Sequence, residues 1–305
     1  MCCLFGVIDY AHSLRQKQLN HILHVMATAC EERGTDATGI AYFEGAKLRV
    51  YKKPWPGRFM RFRMPEKVHI VMGHTRMTTQ GSAKHNFNNH PFSGNTKDGQ
   101  FALAHNGVLY NDDTLRQDFQ LPDTVVETDS FVAVQLLQQQ KHLNFNTIGF
   151  TMEQLLGSAT ITVLEHDGLY IAKGDNPMCI YHFPRLGIYL YASTETILMN
   201  IIDRLILASE HHSQVKINSG EILHFDVRGN ITRSNFDDSN FHSLYSRIGS
   251  YPYGYLYNYE ESYIEDLKAI APSMGYAPEQ IDHFLELGFA PEEIEEFLYA
   301  CNLEV

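Results

Sequence analysis

The sequence predicts an α+β protein in which sheets lie between helical layers, followed by a small helical extension. Three observations point to this class. Short apolar or alternating runs recur through roughly the first 230 residues, helical spacing appears both early and late among them, and no regular strand–helix–strand alternation links them. With 305 residues, 44% of them hydrophobic and 20% charged, the chain can bury the core of a large domain and still carry an appendage. The domain is placed at residues 2–240 and the appendage at 241–305.

Cys3 to Tyr10 (CLFGVIDY) is a short apolar run, read as a buried strand with residue 2 at its tip. From Gln16 to Glu32, Leu19, Ile22, Leu23, Met26 and Ala27 recur at helical spacing and predict an amphipathic helix. RGTDATG (Arg33 to Gly39) breaks it with two glycines. Ile40 to Phe43 and Lys47 to Tyr51 read as a strand pair around Glu44-Gly45-Ala46. Val68 to Met72 is expected to be a strand that delivers Gly73-His74-Thr75-Arg76 at its C-terminal end. The polar stretch from Met77 to Gly99 reads as one long loop, of the kind that is either functional or disordered. Gln100 to His105 is the next strand, with a turn at Asn106-Gly107.

Asn111, Asp112 or Asp113 can cap a short helix to Phe119, and Thr128 or Asp129 a helix through Phe131, Val134 and Leu137. Further strands are read at 158–165, 169–172, 179–182, 188–191, 214–217 and 221–225, with a helix near Thr196 to Ala208. Seven tyrosines crowd the stretch from Tyr245 to Tyr263 without an apolar period, which reads as an aromatic linker or strip. Beyond it GYAPEQIDHFLE (Gly275 to Glu286) and GFAPEEIEEFLY (Gly288 to Tyr299) match at seven of twelve places. Pro278 and Pro291 suit a first helical position, and each copy carries one apolar face, so the pair must pack on something.

Composition narrows the function classes. A formal net charge of −12 argues against nucleic acid or an anionic membrane as the main partner. Neither a secretory segment nor an apolar stretch of transmembrane length is visible, and the expected location is cytoplasmic. The five cysteines (2, 3, 30, 179 and 301) contain no C-x-x-C, and the 16 histidines do not cluster at ligand spacing, so neither a metal nor another cofactor is expected.

Chemistry can start at Met1-Cys2. Aminopeptidase removes an initiator Met before a small side chain, which would leave Cys2 with a thiol and a free α-amine on one residue. A thiol needs a base to attack at neutral pH, and that amine can be the base. The residues alone leave open a small buried Cys in a first strand.

Cys2, RGTDATG, GHTRMTTQG…NHP, LAHNGVLYN and ETDS, in this order and at these separations, resemble the class II glutamine amidotransferases. These are the N-terminal-nucleophile glutaminases of glucosamine-6-phosphate synthase and amidophosphoribosyltransferase, and the resemblance covers roughly residues 2 to 230. It implies a four-layer αββα sandwich of antiparallel sheets of the Ntn-hydrolase type. It further implies that Cys2 attacks the side-chain amide of glutamine, and that Asn106 and Gly107 form the oxyanion hole. Arg76 matches the clamp on the α-carboxylate and Asp129 the carboxylate that holds the α-ammonium. Thr79 and Gln80 fall at further substrate contacts, and Arg33-Gly34 at the support of the nucleophile. His74, His90 and His105 fall in the same motifs as structural residues. From the residues alone, Asn106-Gly107 can equally be a turn, Arg76 a surface residue and Asp129 a helix cap.

Two departures stand out. Cys3 occupies the position where the family usually has Gly, and Met77 stands where glucosamine-type enzymes have an aromatic lid residue. About 75 residues follow the resembling part, with no P-loop or dinucleotide fingerprint among them. The expectation is therefore a glutaminase that passes ammonia from L-glutamine to a separate synthase protein, docked through the tyrosine strip and paired helices. Packing of that tail on its own domain or on a second copy is the alternative. Two other classes stay open: a non-catalytic glutamine-binding regulator, and an Ntn amidohydrolase acting on another γ-glutamyl amide.

Overall fold

The structure is a computed structural model that describes residues 2–205, 207–242, 264, 267–268, 271–287, 289, 294 and 298. The chain divides into Met1–Ser243 and Leu244–Val305. In the first unit the elements run β1 (Cys3–Asp9), α1 (Gln16–Ala29), β2 (Ala37–Glu44), β3 (Lys47–Lys53), β4 (Ile70–Arg76), β5 (Phe92–Thr96) and β6 (Gly99–Leu109). They continue with α2 (Asp112–Asp118), α3 (Phe131–Gln140), α4 (Phe145–Gln154), β7 (Gly157–Glu165), β8 (Gly168–Lys173), β9 (Cys179–Phe183) and β10 (Ile188–Ala192). Last come α5 (Glu195–Arg204), β11 (Ser213–Gln214), β12 (Glu221–Asp226), β13 (Ile231–Asn235) and α6 (Ser239–His242).

Two antiparallel sheets result, with the orders β11-β9-β10-β1-β4-β2-β3 and β13-β12-β8-β7-β6-β5. Three apolar layers hold them. Leu19, Leu23 and Met26 of α1 and Ile197, Leu198 and Ile201 of α5 pack on Cys3, Phe5 and Val7 of the first sheet. Val132 and Leu136 of α3 and Ile148 and Met152 of α4 pack on Phe101, Leu103 and Ile161 of the second. Between the sheets lie Leu4, Ile8, Met72, Ala102, Ala104, Leu164 and Tyr191. The layers are thus helix, sheet, sheet, helix, and the expected αββα sandwich is borne out. Burying one such Leu, Ile or Phe contributes about 1.5–3 kcal/mol, so these layers outweigh any single cap or turn.

Several elements differ from the sequence reading. Gly73-His74-Thr75-Arg76 lies inside β4 rather than beyond it, because β1 and β2 pair with it on both sides as far as Thr75 and Arg76. Asn106-Gly107 makes no turn: β6 continues through both, with Asn106 opposite Thr160 and Gly107 opposite Ala159. The 77–99 stretch is loop only in part, since Phe92–Thr96 folds back on β6 as β5. Neither Thr128 nor Asp129 caps α3; its N-cap position is Ser130, without a side-chain capping bond. Helix α4 and strand β13 went unanticipated. In α4 the cap is Asn144, whose Oδ1 accepts the Thr147 N–H at 3.1 Å.

In the second unit Pro278–Glu286 is helical with Pro278 in its first turn, and Gln280 Oε1 accepts the Ala277 N–H at 2.7 Å. Ile281 is buried, as are the helical Ile294 and Leu298 of the second repeat. The tyrosine strip lies outside the described residues. Among the described residues no helix is long and apolar enough to cross a membrane.

Candidate active site

Strand parity brings the candidate residues to one end of the inter-sheet layer. In β1, Leu4 and Ile8 face the second sheet while Cys3, Phe5 and Val7 face α1 and α5. Cys2 has the parity of Leu4. In β4, Ile70 and Met72 face the second sheet, and His74 and Arg76 continue that row. In β6, Ala102 and Ala104 face the first sheet, and Asn106 is the next residue of the same row. Cys3 pairs with Thr75 and Leu4 with His74, so one further step in the register sets Cys2 beside Arg76.

Cys2 is half-buried, and its thiol donates to the Met77 carbonyl at 3.4 Å. Burial pushes the thiol pKa up, while the Met77 hydrogen bond and the Arg76 charge pull it down and Asp129 opposes them. A raised thiol pKa makes a base necessary. The Arg33 Nε–H donates to the Cys2 carbonyl at 3.0 Å and fixes the backbone at Cys2. Gly34 is required where it stands: a Cβ would lie 2.5 Å from the Arg76 carbonyl carbon and 2.7 Å from the Met77 nitrogen. Asp36 completes this support, donating its N–H to the Arg76 carbonyl at 2.9 Å and accepting the Thr78 N–H at 2.7 Å.

Arg76 is buried, and burial lowers its pKa against the charges of Asp129, Asp36 and Glu127. Its Nη1 donates to Asn89 Oδ1 at 2.8 Å, and its Nη2 to the Gln80 and Gly81 carbonyls at 2.5 and 3.2 Å. A guanidinium carries about five N–H groups, so some remain for a ligand. Asp129 is also buried; its Oδ2 accepts the Leu109 N–H at 2.7 Å and its Oδ1 the Ser130 N–H at 2.7 Å. Oδ1 also accepts from Ser130 Oγ at 3.1 Å, so the remaining acceptor capacity lies on Oδ2. Gln80 ties the two charges together, since its Oε1 accepts the Asp129 N–H at 2.8 Å while its carbonyl holds Arg76. Glu127 secures the same loop through Asn88 Nδ2 at 2.6 Å.

Asn106 is fully buried, and its Oδ1 has no hydrogen-bond partner. Its Nδ2 donates to Ser193 Oγ at 3.4 Å, and its backbone carbonyl accepts from Asn176 Nδ2 at 3.0 Å. Gly107 has φ 141°, and a Cβ there would sit 1.8 Å from the Ser158 oxygen, so only glycine fits. The three histidines are buried. His74 Nε2–H donates to the His105 carbonyl at 3.0 Å, and burial takes its pKa down to about 3. Burial likewise depresses His90 and His105, and His105 bridges the Ser158 carbonyl (3.2 Å) and Ser130 Oγ (2.8 Å).

The structure therefore brings together Cys2, Arg33, Gly34, Arg76, Gln80, Asp129, Asn106 and Gly107. Thr79 is exposed on the loop after β4. The sequence reading did not single out Asn89, Asn176 or Ser193. Asn89 could have been weighed because it sits in the NHP motif; the other two stand in no motif. Among the described residues no group of His, Cys, Asp and Glu could hold a metal ion.

A half-buried thiol at the second residue, at the polar end of an αββα sandwich, defines an N-terminal-nucleophile hydrolase fold. Residues 1–160 match the family model "Glutamine amidotransferases class-II", and the chain belongs to that family and is an enzyme of the glutamine amidotransferase type. Among its relatives, the amidophosphoribosyltransferase of Methanocaldococcus jannaschii is 26% identical over 84% of this chain and 55% of its own length. The glutamine–fructose-6-phosphate aminotransferase (isomerizing) of Staphylococcus aureus is 28% identical over 76% of this chain and 38% of its own. The chain thus spans about half or less of these curated relatives. The B. subtilis glutamine PRPP amidotransferase solved with ADP and GMP superposes with a TM-score of 0.62 at 22% identity, covering 77% of this chain and 49% of that one. That likeness concerns the fold.

Proposed function

We propose that the chain hydrolyses the side-chain amide of free glutamine through a γ-glutamyl thioester on Cys2, and that the ammonia passes to an acceptor on a separate partner protein. The observation that carries this reading is the convergence of a thiol with a buried guanidinium, a buried carboxylate and a buried carboxamide in one layer. In this reading residues 2–240 are the glutaminase and 241–305 an appendage.

Removal of Met1 gives Cys2 an α-amine whose ordinary pKa of about 7.7–8 suits a base at neutral pH. The amine takes the thiol proton and the sulfur attacks Cδ of glutamine. The amide oxygen becomes an oxyanion, stabilised by the Asn106 side-chain N–H and the Gly107 backbone N–H. Collapse breaks the Cδ–N bond, and the protonated amine returns its proton to the leaving nitrogen, which departs as ammonia. Water then attacks the thioester, giving up a proton to the same amine, and glutamate leaves with the thiol restored.

Arg76 holds the α-carboxylate through its remaining N–H groups, and Asp129 holds the α-ammonium. That pair favours free glutamine over glutamine inside a peptide. Thr79 and Gln80 belong to the loop over the substrate, and Arg33 and Gly34 hold the nucleophile's backbone. The two relatives are named as transferases, which supports delivery of ammonia to an acceptor. Ammonia release from glutamine and from N-acetylglutamine tests the reading. Turnover of glutamine alone is expected; equal turnover of both would remove the roles given to Arg76 and Asp129.

A further inference from the structure

We infer that Ser193 is a positioning residue for the glutaminase reaction, its hydroxyl aligning the Asn106 carboxamide with the nucleophile strand. The inference rests on the glutaminase reading of the site.

Strand β10 pairs with β1 as far as Ala192 opposite Phe5, so Ser193 stands opposite Leu4, just past the end of the backbone ladder. There its side chain takes over from the backbone. Ser193 Oγ accepts the Leu4 N–H at 2.8 Å and lies 3.5 Å from the Leu4 carbonyl. The same oxygen accepts from Asn106 Nδ2 at 3.4 Å, and Asn106 belongs to the other sheet. One fully buried hydroxyl therefore touches the strand that carries Cys2 two residues upstream and the carboxamide assigned to the oxyanion.

The hydroxyl's capacity explains why the contact has a direction. Serine offers one donor and two acceptor positions. Leu4 takes one acceptor through its N–H, and the hydroxyl hydrogen is shared between the Leu4 carbonyl and the Cys3 thiol, which leaves Asn106 facing a lone pair. A lone pair selects Nδ2 over Oδ1, so the amide is held with nitrogen towards Ser193 and a second N–H free for the substrate oxygen. The opposite flip would turn the Oδ1 lone pairs towards a developing negative charge. Asn176 fixes only the main chain of Asn106, through the carbonyl at 3.0 Å, and leaves the side-chain torsions to Ser193.

The test is a double-mutant cycle on the full chain, using Ser193→Ala, Asn106→Ala and the pair, with ammonia release from glutamine as the readout. Ser193→Ala should lower kcat about tenfold, a part of the roughly 10²–10³ expected for losing an oxyanion donor outright. KM should stay within about twofold, because Arg76 and Asp129 are untouched, and so should the rate at which iodoacetamide alkylates Cys2. In the Asn106→Ala background the same change should alter kcat less than about twofold, and Ser193→Thr, which keeps the oxygen, should recover most of the loss. Equal losses in both backgrounds, an unchanged kcat, or a loss carried by KM would overturn the role. If Ser193→Ala does not fold, Ser193→Cys, a weaker acceptor, must show the same dependence on Asn106. A wild-type protein that releases no ammonia would sink the glutaminase reading itself, an outcome distinct from an active wild type indifferent to Ser193.

Discussion

Cys2 and Cys3 are neighbours of the same residue type, yet they belong to different layers of the molecule. Cys3 is fully buried against α1 and α5 among Phe5, Leu23 and Cys30, where burial and Cys3 itself push the Cys30 thiol well up. Cys2 points the other way, into the inter-sheet layer, with Arg76 and Asp129 acting on its thiol. The helix-facing layer at this end is closed and mostly apolar, with the buried Thr75 hydroxyl donating to the Cys30 carbonyl at 2.9 Å. The inter-sheet layer is apolar towards Ile8, Ile70 and Phe225 and becomes polar where Cys2, Arg76, Asn106 and Ser193 meet. One step along a strand thus separates a thiol packed among helix-facing side chains from one beside a guanidinium and a carboxylate.

The largest effect that could break this comparison is on turnover. Cys2→Ala should abolish ammonia release from glutamine, whereas Cys3→Ala should keep kcat within about twofold and reduce stability by ~1 kcal/mol through a small cavity. Comparable losses in both variants would erase the distinction between the layers. Next in size is Asn106→Ala, which should lower kcat by about 10²–10³ with a smaller change in KM. Arg76→Lys keeps the charge but loses the planar fork, and should raise KM for glutamine by roughly 10–100-fold, read from initial rates.

The smallest effect concerns stability against pH. His74 has a folded pKa of about 3, and burial depresses His90 and His105 in the same direction. Because the unfolded chain binds protons near pH 6.5 and the folded one does not, stability is full above that pH and falls as pH drops towards 3. Between pH 6.5 and 5 the loss from His74 should reach about 2 kcal/mol, with His90 and His105 adding in the same direction. Urea unfolding at several pH values measures it, and His74→Gln should flatten the slope; an unchanged slope would mean that His74 is not held neutral.

Much of this arrangement was legible in the residues. The alternation in CLFGVID and SATITVLE and the apolar face of Leu19, Ile22, Leu23 and Met26 fixed the strands and the first helix, because period and burial coincide there. Helix α4 escaped because Gly149 and two β-branched threonines interrupt its pattern, although the Asn144 cap was a usable signal. The continuation of β6 through Asn106-Gly107 escaped because Asn-Gly favours a turn locally, and pairing with β7 overrides that preference. The motif residues could be named, but not what holds them. Ser193, Asn176 and Asn89 act across sheets and loops, at separations from Asn106 or Arg76 that carry no period.

The most direct measurement is intact and peptide mass spectrometry of the purified protein, before and after treatment with a glutamine-mimicking electrophile. The expected result is a chain without Met1 and a single adduct on Cys2, with Cys3 unmodified. A chain that retains Met1, or an adduct on Cys3 in place of Cys2, would contradict the assignment of Cys2 as the nucleophile.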